Sequence, residues 1–258
     1  MKPADGHGAR ASPSSQSGQA AIESALILPL FIFLILGTIQ LGLMHQARLV
    51  TKYAAYKAAR AGALHHARKE VMERAALSAL LPLVSEGKGG GEYIQPITQA
   101  EDFQQKWGSR KFSTNKMADA PFPYVEATLC GPLRRDAPAG MRELDFDDPG
   151  IAAATDWRPS QRTKLRVQLT LYYRMPIPFA NWVIHNIVLR KELPWVLRMG
   201  PEEQQQQQQQ LEKRYEEAAN KGIYILPIRA AYTMRMHSNL YLSSMPERNE
   251  CRTTNPGN

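Results

Sequence analysis

GQAAIESALILPLFIFLILGTIQLGLM, residues Gly18–Met44, is the stretch that decides the fold. From Ala25 to Met44 it runs for twenty residues without a charge. As a helix rising 1.5 Å per residue, that run is about 30 Å long, the thickness of a bilayer's hydrocarbon core. One membrane-spanning helix near the N-terminus is therefore expected. A single carboxylate, Glu23, stands just ahead of the run, among small and polar residues that begin at Gly18. An acid at the mouth of a membrane helix is costly and asks for a role, unless it sits idle among the lipid headgroups.

Spacing supplies a role. If Gly18 closes a leader peptide, Gln19 is the first residue of the mature chain and Glu23 the fifth. A small residue before the cut, a carboxylate five residues in and about twenty apolar residues together resemble the type IV prepilin signal. The longer pattern is narrower: ESALILP (Glu23–Pro29), LGTIQLG (Leu36–Gly42) and AARAGA (Ala58–Ala63). It is similar to the TadE-like pseudopilin family of Tad (Flp-type) pilus systems, from about Gly18 to Ala63. Gln40 stands where many relatives carry an acid. The resemblance implies cleavage between Gly18 and Gln19 by a prepilin peptidase, and an assembly role for Glu23. It also implies a minor pseudopilin of the bacterial inner membrane, with a periplasmic C-terminal domain. Its partners would be other pilins or pseudopilins, the inner-membrane assembly platform and the lipid bilayer. The resemblance implies neither an enzymatic activity nor a cofactor. Glu23 would neutralise the new α-amine of a neighbouring subunit as helices pack in a medium of low dielectric constant.

The rest of the chain fits one modest domain. With 258 residues, a mean hydropathy of −0.40 and a formal net charge of +8, it reads as ordinary water-soluble protein outside the apolar run. The basic residues are dispersed, with no basic-aromatic motif, so a nucleic-acid partner is not expected. Residues 1–18 are polar and small, and the apolar run lies after Gly18 rather than before a cut, unlike a secretory signal. Charge flanks point the other way on topology. Lys2 and Arg10 precede the helix, whereas Arg48, Lys52, Lys57, Arg60, Arg68, Lys69 and Arg74 follow it, which by the positive-inside rule favours a cytoplasmic C-terminus. The prepilin reading requires the opposite orientation, and the more specific leader pattern is followed here.

An α+β organisation is expected: a leader over 1–18, a membrane and assembly helix over 19–44, and its extramembrane continuation over 45–85. An α+β extracytoplasmic domain over 92–242 and a flexible tail over 243–258 would follow. His45 to Leu81 has no proline and a small-residue face at Val50, Tyr53, Ala54, Lys57, Ala58 and Ala61. It predicts one rod from Ile22 to Leu81, roughly 90 Å long, stopped by Pro82 and the glycines of 87–91. Alternating apolar residues predict strands over Tyr124–Leu129, Leu165–Tyr173 and Leu226–Met236. These would form a small antiparallel sheet with one face on the helix and the other partly wet. Phe179–Arg190 reads as a short apolar helix, taken as a core helix, with an interfacial position as the alternative. The run of seven glutamines at Gln204–Gln210, in an insertion over 202–217, is polar on all faces and is given no function.

Sites of chemistry are sparse. There is no nucleophile elbow, zincin motif or phosphate-binding loop. His65 and His66 are adjacent and would diverge on a helix. Asp145, Asp147 and Asp148 cluster in ELDFDDPG without the calcium-loop pattern, and read as a solvated acidic loop rather than a metal site. Cys130 and Cys251 could pair in an oxidising compartment or remain two thiols. Two other functional readings remain open: an uncleaved single-pass adaptor with an extracytoplasmic partner-binding domain, and a tethered enzyme or calcium-binding domain.

Overall fold

The computed structural model describes residues 16–85, 92–138, 140–152, 161–189 and 213–251. The leader up to Ser15, the glycine linker and the glutamine run lie outside them. The protein is α+β, with a long apolar N-terminal helix and a domain built on small antiparallel sheets.

Helix α1 spans Gln16–Leu64 and runs through Pro29 without interruption. The expected rod to Leu81 is instead two helices, α1 and α2 (Lys69–Leu80), joined by a tight turn. His66 and Ala67 take left-handed backbone angles there, with φ 54° and 55°. No glycine or proline at 64–68 signals this turn; tertiary contacts impose it. The segment after the last long strand takes up groups that a continuing helix would need. His237 N–H and the Ser238 hydroxyl both donate to the Ala63 carbonyl, and His66 N–H donates to Ser238 Oγ. His66 Nδ1 also lies 2.7 Å from the Asn239 carbonyl. Released by the turn, α2 packs back on α1 through Met72, Ala76, Leu77 and Leu80, all buried.

Three long strands form the main sheet: β1 (Val125–Gly131), β3 (Lys164–Arg174) and β4 (Ile225–Arg235), in the order β1-β3-β4 and antiparallel throughout. Leu169 of β3 faces Ala127 of β1 and Ala230 of β4. Pro227 sits in β4, at the sheet edge, where a missing N–H is tolerated. In a separate small sheet, β2 (Glu143–Leu144) pairs with β5 (Leu240–Tyr241) as a two-residue antiparallel ladder.

The pleat of β3 sorts its side chains. Leu165, Val167, Leu169 and Leu171 are fully buried on one face, and Leu165 lies against Gly62 of α1. The stripe of α1 that meets the domain is Ala47, Thr51, Ala54, Ala55, Ala58, Ala59, Gly62 and Ala63. Tyr53, expected on that face, is half exposed beside it. Small side chains let the helix backbone approach the sheet closely. The second face of β3 is drier than expected: Gln168, Thr170, Tyr172 and Arg174 are all buried. Phe122 covers Tyr172 with ring centroids 5.0 Å apart and meets Tyr215 at 4.7 Å.

Tyr215 belongs to α7 (213–220), the described end of the segment expected to be polar on all faces. It is amphipathic, with Tyr215 and Ala218 buried. Helix α3 (Ala100–Gly108) opens with a capping box in which Asp102 accepts from Thr98 and Gln99. These bonds hold the Asp102 carboxyl below its usual range. One-turn helices α4 (Arg110–Ser113) and α5 (Pro149–Ala152) sit in the connections. Helix α6 (Ala180–Leu189) follows β3 and lies beside α1.

Candidate assembly helix and its seat on the domain

The first half of α1 is long, apolar and bare. Ile22, Leu26, Leu28 and Phe31 are 57–72% exposed, in a helix whose most apolar window has a mean hydropathy of 2.4. By length and composition it is able to cross a bilayer. A core helix of the same composition would be covered by its own domain, and this one is not until Gln40.

Glu23 lies exposed at the start of this length. At 100° per residue it projects roughly 100° round the helix from Gln40, off the side that faces the domain. Gly18 and Gln19 fall within the span of α1, ahead of the exposed apolar length.

Gln40 is the polar residue on which the helix meets the domain. It is fully buried, and its Oε1 accepts the Ile177 N–H at 3.0 Å. Its Nε2 is buried with no hydrogen-bond partner. Nothing in LGTIQLG itself marks Gln40 as the tie to the loop after β3. The available signal was a lone amide in an apolar run, which is costly without a partner. Thr38 and Thr51, also polar in α1, satisfy their hydroxyls on the carbonyls one turn back, Leu34 and Ala47.

Charged groups in the domain are arranged for structure. The Arg174 guanidinium is buried and forks two ways: Nε donates to both Glu92 oxygens at 2.8 Å, and Nη1 and Nη2 donate to Asp119 at 2.6 and 2.9 Å. Burial alone would lower its pKa, but the Asp119 and Glu92 carboxylates more than offset this and raise it. Burial raises the Glu73 carboxyl above the ordinary value, and the Ala127 N–H and the Lys69 ammonium pull partly against it. Glu73 thus pins α2 to β1. Arg214 stacks over Phe122 and donates to the Pro121 carbonyl, holding α7 in place.

Cys130 and Cys251 are joined in a disulfide, with Cα atoms 5.3 Å apart. The C-terminal tail, expected to be loose unless Cys251 holds it, is docked as far as Cys251: Arg134 N–H donates to the Pro246 carbonyl and the Arg134 guanidinium pairs with Glu247 at 2.8 Å. Residues 252–258 lie outside the described residues. Asp145 accepts from Asp147 N–H and Asp148 from Gly150 N–H, as local turns in an exposed loop. His65 and His66 lie in the turn after α1, and the His66 ring lies tilted against Tyr241, 5.0 Å between centroids. Among the described residues, no three His, Cys, Asp or Glu side chains gather as a metal site would require.

Residues 18–60 match the model of the family described as TadE-like protein. That segment holds Gly18, Gln19, Glu23 and Gln40, and ends within the small-residue stripe. No curated protein and no solved structure matches the chain.

Proposed function

We propose, with the TadE-like match over residues 18–60 as premise, that this chain is a minor pseudopilin of a Tad-type pilus or secretion assembly in the inner membrane. Cleavage by a prepilin peptidase between Gly18 and Gln19 leaves α1 as the membrane and assembly helix. The domain stands on the periplasmic side and performs no catalysis. The observation that carries this reading is the bare apolar length of α1 opened by Glu23 and closed by the domain at Gln40.

The Cys130–Cys251 disulfide supports the orientation, because such bonds persist in oxidising compartments such as the periplasm. It argues against the cytoplasmic C-terminus favoured by the basic flank. Arg48, Lys52 and Arg60 of that flank lie on the exposed side of α1, away from the buried stripe. After cleavage, Gln19 carries a new α-amine. Glu23 of one subunit pairs with that amine on the next, and unpairing a buried charge costs on the order of 3–5 kcal/mol, enough to select register.

The test is Glu23→Ala in the native host. The variant is expected to reach the membrane at wild-type level and to lose pilus assembly or secretion. Wild-type assembly in that strain would refute the role given to Glu23.

A further inference from the structure

We infer that α6 is a second membrane-contacting element, an interfacial helix that lies on the lipid beside α1 and sets the depth at which α1 enters the bilayer. The inference rests on α1 being membrane-inserted, as proposed above.

The run from Met175 to Leu189 holds no charged residue, and Arg190 and Lys191 follow it in sequence. An uncharged run of this size is too short to span, and is either a core helix or an interfacial one. The structure rejects the core reading. Phe179 is 73% exposed, Trp182 56%, Ile187 58% and Val188 49%. The helix is anchored to the domain at two points, Ala180 and His185, both buried, and the His185 ring meets Tyr224 edge-on at 5.3 Å. The helix is therefore held in place while Phe179, Trp182, Ile187 and Val188 stay bare. Phe179 adopts a left-handed φ of 64°, an uncommon conformation for a large side chain, with that ring thrown outward.

Level along α1 identifies the occupant. The Ile177 N–H, just before α6, is bonded to Gln40. Gln40 lies four residues before the end of the uncharged run at Met44, about 6 Å along the helix axis. Interfacial helices bury their apolar side about 5–10 Å into the boundary between headgroups and acyl chains. α6 is thus moored at the depth where such a helix lies. Its bare side chains include Trp182 and Phe179, residue types that suit that boundary.

The full chain, reconstituted in liposomes, provides the test. Single cysteines are introduced as Trp182→Cys, Ile187→Cys, Leu34→Cys in the apolar length of α1, and Tyr241→Cys. Tyr241 lies beside His66, about 40 Å along α1 from Gln40. Each is labelled with a fluorescent maleimide without reductant, so that the native disulfide does not react. Quenching by phospholipids brominated on the acyl chains is then read. Positions 182 and 187 are expected to be quenched at least about threefold more than position 241, approaching position 34. Strong quenching at 34 with 182 and 187 at the level of 241 would overturn the inference and leave the pseudopilin reading standing. No quenching at 34 would remove the membrane reading and this inference with it. Agreement between 182 and 187 guards against local distortion by either substitution.

Discussion

Gly62→Ala tests the junction on which the domain is built, because two opposed effects meet there. A Cβ at position 62 would lie 2.6 Å from Met72 Sδ, 2.8 Å from Leu165 Cδ2 and 2.9 Å from Met72 Cγ. Comfortable carbon contacts lie at about 3.5–4.0 Å, so something must move. Met72 and Leu165 are themselves fully buried, one on α2 and the other on β3, and neither can swing into solvent. Overpacking of this kind costs typically about 1–3 kcal/mol. Replacing a helical glycine by alanine returns up to about 1 kcal/mol, and Met72 can absorb part of the strain by changing rotamer. The net expectation is a loss of about 1–2 kcal/mol, shrinking in a Met72→Ala background. Gly37→Ala and Gly42→Ala are controls, since an added Cβ there meets nothing within 4 Å. Urea unfolding of the full chain in detergent, followed by near-ultraviolet circular dichroism, would measure the change. A Gly62→Ala variant as stable as wild type, or more so, would refute the packing of α2 against α1. It would favour the continuous rod that helix propensity alone suggests.

Arg174→Ala leaves the Glu92 carboxylate, only 9% exposed, without its partner. A loss of about 3–5 kcal/mol is expected, with Arg174→Lys intermediate because it keeps the charge but not the fork. A loss below about 1 kcal/mol by denaturant unfolding would contradict the buried network. Cys251→Ser releases a cross-link closing 121 residues of sequence and is expected to cost about 2–4 kcal/mol. The cost should vanish when both proteins are compared under reducing conditions; equal unfolding midpoints without reductant would count against the disulfide as a stabilising link.

What the amino-acid sequence disclosed, and what it hid, follows from the range of each interaction. The three long strands are legible to within one residue at each end, except that β1 runs two residues further, to Gly131, because LRVQLTLYY and its counterparts alternate with the period of the pleat. The apolar length of α1 is legible because a run of twenty uncharged residues is long enough to cross a bilayer. The turn at His66 was not, because Ser238 and His237, more than 170 residues away, enforce it on a sequence with good helix propensity. The dry second face of β3 was hidden for a similar reason: Phe122 and Tyr215 cover it from distant segments. Gln40 was weighed as an acid that was missing, whereas its amide is a buried acceptor for Ile177. In α6, an apolar sequence was compatible with core or surface, and only the exposure of Trp182 and Ile187 decides between them.

The central claim concerns the N-terminus, and mass spectrometry of the membrane-extracted protein tests it most directly. Intact and N-terminal masses would be compared from cells with and without the prepilin peptidase. The account predicts a chain beginning at Gln19 only where the peptidase is present. A chain retaining Met1 to Gly18 in both strains would contradict it and turn the reading to an uncleaved membrane-anchored adaptor.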